Sequence, residues 1–266
     1  MQKSKPFTVV PESTVLLKKM NKVEYLILKS ALQFPESLYN IPNDYKISNA
    51  EVAYSANNLF KNREILAEIV DEGEEYLDYS TAIQAIYPEQ DIPNSKYTEN
   101  SNQELLSPAL KVRKPVVLTP SQIEANLSGE LGALYYLTPK GASRWESLTN
   151  PDWNRYVSIF YTFTKSEEGS VEVICLNQEF IEKYLNIECY VAPVVRVKGT
   201  EIWDVLEPWS ATYWKTLPKG YRLRVQSVHN NWSMSSDAPT EWIEANDEAN
   251  ELYNELTKWY TEPKFD

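Results

Sequence analysis

The chain has 266 residues, of which 38 are acidic and 26 basic, for a formal charge of −12. With 42% apolar and 24% charged residues it has the composition of a globular chain, which excludes a collagen-like, disordered or multi-span membrane protein. The acidity argues against coating of nucleic acid or anionic lipid by bulk charge, and 7 Gly disfavour a glycine-rich phosphate loop.

The first predicted element is a helix over residues 13–34. Val15, Leu16, Met20, Val23, Leu26, Ile27 and Ala31 form its apolar stripe, Ser13 or Thr14 caps it, and Pro35 stops it. No apolar run follows Lys3 and Lys5 as a signal peptide requires, so a cytoplasmic location without a membrane span is expected. A second helix is predicted over residues 57–72, with Leu59, Phe60, Leu66, Ala67, Ile69 and Val70 on its apolar side and Gly73 after it. A short third helix is predicted over residues 79–87. A polar loop follows from Glu89 to Leu106. The acidic residues Asp71, Glu72, Glu74, Glu75 and Asp78 lack the ligand spacing of a calcium loop and read as a solvated helix end.

An apolar run, Val116 to Leu118, then leads into Thr119-Pro120-Ser121-Gln122. This is an N-cap, a proline at the first helical position and a capping-box glutamine. A strand is expected from Ala133 to Leu137, and a helix restarts at Thr138-Pro139 and runs through Leu148.

After Pro151 the period falls to two. Val157, Ile159, Tyr161 and Phe163 alternate, as do Val171, Val173 and Cys175, then Val191, Val195 and Val197. Tyr221, Leu223 and Val225 alternate with Arg222, Arg224 and Gln226, so an antiparallel sheet with one wet face is predicted. A helix is inserted from Gln178 to Leu185, and residues 202–206 and 212–217 add strands. The chain closes on an amphipathic helix over residues 237–260. Its apolar face is Trp242, Ala245, Ala249, Leu252, Tyr253, Leu256, Trp259 and Tyr260, and it is expected to lie across the sheet. The fold class is α+β, with a mostly helical domain over residues 1–150 and a sheet-plus-helix domain over residues 151–266.

The run Tyr135-Tyr136-Leu137-Thr138-Pro139-Lys140-Gly141-Ala142-Ser143-Arg144-Trp145-Glu146 resembles the return strand and following helix of bacterial winged-helix modules. The resemblance covers residues 119–146. It implies a winged-helix-like element in the helical half and, as one function, transcription regulation. From Lys111 to Asn150 the basic residues (Lys111, Arg113, Lys114, Lys140, Arg144) barely outnumber Glu124, Glu130 and Glu146, so nucleic-acid binding is not expected.

Candidate chemistry is sparse. His229 is the single histidine and has no nucleophile motif beside it. Cys175 and Cys189 read as reduced buried thiols. Neither a metal site nor a cofactor is expected. Glu201, Asp204 and Glu207 lie among Trp203 and Trp209, and with His229 they outline a possible pocket for a carboxylate-dependent enzyme acting on a sugar or phosphate. The favoured reading is instead a non-catalytic interaction protein with a basic protein partner. Residues 230–266 carry nine acids against Lys258 and Lys264, and Glu244, Glu248, Glu251 and Glu255 mark the outer side of the last helix. An immunity or antitoxin-like protein that masks a basic toxin is the concrete form of that expectation.

Overall fold

The computed structural model describes residues 20–70, 114–163, 168–191, 194–229 and 240–265. Helix α1 (Lys22–Ser30) opens at Asn21. The Asn21 side chain accepts from the Glu24 amide while the Glu24 carboxylate accepts from the Asn21 amide. The caps expected at Ser13 or Thr14 lie outside the described residues, and the helix ends well before Pro35. Tyr25, Leu26, Ile27 and Leu28 are buried beneath it.

Helix α2 (Ile41–Tyr45) is followed by Lys46 in the left-handed region, and α3 (Asn49–Lys61) begins at a Ser48–Glu51 capping box. The expected helix over residues 57–72 needs correction. The helix starts earlier and stops at Lys61. Arg63 takes φ 54°, and the chain leaves as strand β1 (Ile65–Ile69). Leu66, Ala67 and Ile69 suit either period, and pairing decides. Strand β2 (Ala133–Leu137) sets Tyr136 opposite Leu66 and Tyr135 opposite Ala67. Single bridges, Ala67 to Val116 and Glu36 to Tyr135, flank this pair. The helix and loop expected over residues 79–106, and the acidic residues 71–78, lie outside the described residues.

Between β1 and β2 sits helix α4 (Pro120–Ser128), with the expected Thr119–Gln122 capping box and Gly129 at φ 82° closing it. Helix α5 (Pro139–Thr149) follows β2, also as expected, and Thr138 caps it. Gly141 is fixed by packing. A Cβ there would lie 2.0 Å from the Glu64 carbonyl oxygen, so the first turn of α5 can sit against the turn that leads from α3 into β1 only with glycine.

The second half builds a five-stranded antiparallel sheet from β3 (Ser158–Phe163), β4 (Glu168–Cys175), β5 (Val194–Arg196), β6 (Ile202–Leu206) and β9 (Gly220–His229). Its order is β3-β4-β9-β5, and β6 also pairs with β9. Strands β7 (Trp209–Thr212) and β8 (Lys215–Leu217) form a separate hairpin. Helix α6 (Gln178–Val191) is longer than its predicted span. It covers the apolar sheet face, where Ile181, Tyr184 and Leu185 pack on Val171, Val173, Leu223 and Val225.

The last helix, α7 (Thr240–Leu256), is shorter than expected and is placed differently. It packs along α6, with Ile187 meeting Ala249 and Leu256, so α6 stands between it and most of the sheet. Tyr253 reaches the sheet core. Beyond Leu256 the chain is not helical, and Trp259 enters the larger core.

That larger core draws on both sides of residue 150. Leu28, Leu59, Ile65, Tyr135 and Trp145 share it with Tyr156, Ile174, Trp209, Tyr213 and Trp259. Polar groups stitch the same seam. The Tyr213 hydroxyl donates to the Ala31 carbonyl (2.5 Å) and accepts from the Leu137 amide (2.9 Å), and the Trp214 indole donates to the Leu32 carbonyl (2.8 Å).

Candidate functional site

Glu201 and Glu207 bracket β6 and Asp204 lies within it, and each carboxylate has its own cation. Glu201 meets Arg196 at 3.1 Å, Asp204 meets Arg222 at 3.0 Å and Arg224 at 2.8 Å, and Glu207 meets Lys219 at 3.4 Å. The pairing follows from register. Asp204 lies opposite Arg222 on β9, on the wet face that sequence alternation assigns to Arg222 and Arg224. Burial works against the Asp204 charge, but hydrogen bonds from Arg222 and Arg224 hold its carboxyl below the usual range. Hydrogen bonding from its own backbone and from Arg196 does the same for Glu201. Glycoside chemistry needs one carboxyl kept protonated facing another across a bond. Here Glu201 and Asp204 are both stabilised as anions, each by its own arginines.

The two tryptophans do not join these carboxylates as a platform. Trp209 is buried in the larger core, and its side chain closes over Gly220, where a Cβ would lie 2.7 Å from the indole. Trp203 pairs with Leu223 and packs into the sheet core, on the face opposite Asp204. His229 ends β9, opposite Val194. Its side chain lies outside the described residues. Cys175 is a free, buried thiol, and burial raises its pKa. Among the described residues no group of three His, Cys, Asp or Glu side chains could hold a metal ion.

An open groove of about 520 Å³ lies elsewhere, between Ser37, Tyr39 and Asn40 on one wall and Asn126 to Gly132 on the other. Its buried polar side chain, Asn126, is already engaged. Its oxygen accepts from the Leu38 amide (3.1 Å), and its amide group donates to the Leu131 (2.8 Å) and Ala133 (3.1 Å) carbonyls. It holds the walls together and leaves little polar capacity for a ligand.

The outer side of α7 is different. Asp247, Glu248, Glu251 and Glu255 are exposed, while Ala249, Leu252, Tyr253 and Leu256 turn inward. The i, i+3, i+7 spacing of Glu248, Glu251 and Glu255 sets them in one stripe. Among the described residues none of the three forms an ion pair through its side chain. Glu244 stands one turn earlier in α7, and its side chain lies outside the described residues.

Sequence reasoning missed a buried charge cluster. Arg144, from the winged-helix-like run, bonds Glu24 on α1 at 2.9 Å and also bonds Glu64. Both carboxylates are buried. No local signal announces it, because the partners lie 120 and 80 residues away. The arrangement ties α1, the turn between α3 and β1, and α5 together.

No helix among the described residues is long and apolar enough to cross a membrane. No family model, curated protein or solved structure matches the chain.

Proposed function

We propose that the protein is a non-catalytic interaction protein that binds a basic protein through the outer side of α7. One observation carries this reading. Glu201, Asp204 and Glu207 are paired with arginines and lysine of the same chain, whereas the carboxylates of Glu248, Glu251 and Glu255 are exposed in a stripe and form no ion pair among the described residues. A preformed acidic stripe on a packed helix speeds association with a basic surface and fixes its orientation. Masking of a basic toxin by an immunity-type protein is the form of this role that best suits a chain with net charge −12. The test is affinity capture from native lysate at low and high salt with wild type and with Glu248→Lys, Glu251→Lys, Glu255→Lys combined. Wild type should retain a basic protein at low salt and release it at high salt, and the variant should retain none. Equal capture by both chains would sink the proposal.

A winged-helix regulator is the second reading. It is favoured by the order α1, α2, α3, β1, α4, β2, α5 and by the short turn joining α2 to α3, which is how a helix-turn-helix is built. Two features weigh against DNA contact. Helix α4 packs on α3, with Glu124 and Leu127 beside Asn49, Ala50 and Ala53, where a recognition helix would need open access to a groove. Around α3, Lys46, Lys61 and Arg63 are offset by Asp44, Glu51 and Glu64. Binding to duplex DNA at low salt, lost on Lys61→Glu, would favour this reading over the first.

A further inference from the structure

The two edges of the large sheet are built differently. At one edge β9 is flanked by two short strands, β5 of three residues and β6 of five. Between them runs Val197-Lys198-Gly199-Thr200-Glu201, and Arg196, Glu201 and Asp204 bring ion pairs to the rim. Short strands, a break and charges are the usual means of blocking further strand addition. The other edge is β3, Ser158-Ile159-Phe160-Tyr161-Thr162-Phe163, with no charge, proline or glycine. All six residues pair in regular register with β4, without a bulge. Among the described residues β3 has a strand on that one side only. Phe160 projects on the wet face and is 49% exposed.

We infer that β3 pairs antiparallel with β3 of a second copy, so that two sheets become one across a two-fold axis. Such a strand is a template for another strand, and its composition selects its own copy. An uncharged strand meets no like charge on itself, even in a chain of net charge −12. Centred on Phe160, the pairing sets Phe160 against its counterpart, Ile159 against Tyr161 and Ser158 against Thr162. Each residue then meets one of the same face, so wet face continues into wet face and apolar face into apolar face. The Phe160 pair supplies an aromatic cross-strand contact. Among the described residues each copy offers one unblocked edge, so association stops at two and leaves the β5/β6 edges at the ends of the dimer. Head-to-tail growth would have to use those.

The test is sedimentation of the full chain over a concentration series. Wild type should reach twice the 30.8 kDa chain mass, and Phe160→Lys, which sets two ammonium groups face to face, should sediment as a single chain with an unchanged circular dichroism spectrum. Phe160→Cys gives an independent readout. On mild oxidation it should form a covalent dimer in high yield. Val195→Cys, 46% exposed on the β5 rim, should not. A wild type that stays at 30.8 kDa throughout, a dimer untouched by Phe160→Lys, or equal cross-linking at positions 160 and 195 would each overturn the inference.

Discussion

Arg144 is a residue whose whole role is tertiary. It is the cation between the buried Glu24 and Glu64 carboxylates, its own side chain 13% exposed. Removing one partner of a buried cluster strands the remaining charges, which costs about 3–5 kcal/mol. Arg144→Ala should therefore lower stability by that amount in urea unfolding. A loss within the range of an exposed ion pair, about 1 kcal/mol or less, would show that the cluster is solvated. Glu188 presents the opposite case. Burial raises its pKa above the ordinary 4.5, against the hydrogen bond it accepts from Tyr161, and its second oxygen has no partner among the described residues. A carboxyl with a raised folded pKa supports the fold below its unfolded pKa, and that support is lost as pH rises through the folded value. Glu188→Gln keeps the shape and removes the titration. The melting temperature of the variant relative to wild type should climb as pH moves from about 4.5 towards neutrality, and a flat difference would contradict this account.

At the scale of elements, caps and alternation were legible, and strand-or-helix ambiguity was not. Thr119-Pro120-Ser121-Gln122 specifies its own helix start, because the bonds that cap α4 are made within three residues. The β9 alternation likewise named its wet arginines and dry Leu223 and Val225. Residues 65–69 failed that reading because their apolar spacing fits both periods, and β2, about seventy positions on, settled it. The C-terminal segment shows a similar override. The helical pattern continues to Tyr260, yet the helix stops at Leu256 so that Trp259 can pack against Trp145, Trp153 and Tyr156, with ring centroids 5.4, 5.0 and 4.7 Å away. Glu262 then fastens the segment to α1 through Tyr25 (2.5 Å) and Lys29 (2.6 Å). Trp259→Ala should cost about 3–5 kcal/mol, as for other buried aromatic truncations, read as a lowered urea midpoint. A loss below about 1 kcal/mol would mean that the segment is not part of the core.

For the whole molecule, the shared core makes a prediction about cooperativity. Trp145 and Leu137 from the first half pack with Tyr156, Trp209 and Trp259 from the second, and Tyr213 bonds across the seam. Unfolding either half would expose the apolar surface of the other. Calorimetry should therefore show one transition whose van't Hoff and calorimetric enthalpies agree. Two resolved transitions would mean that the halves are separate folding units. The same scale decides the site. Glu201, Asp204 and Glu207 looked like neighbours of two tryptophans in the sequence, but strand pairing gave each an arginine or lysine and sent Trp203 and Trp209 into two different cores.

By itself the sequence determined the α+β class, the helix starts that cap themselves, the wet and dry faces of the sheet and the acidic surplus of the C-terminal region. Each of these depends on residues within a turn or two of one another, or on composition alone. Tertiary structure decided that residues 65–69 form a strand, that α7 rests on α6, that Arg144 joins Glu24 and Glu64, and which carboxylates keep a free charge. These outcomes turn on partners tens of residues apart, and the free energy of those contacts outweighs any local preference.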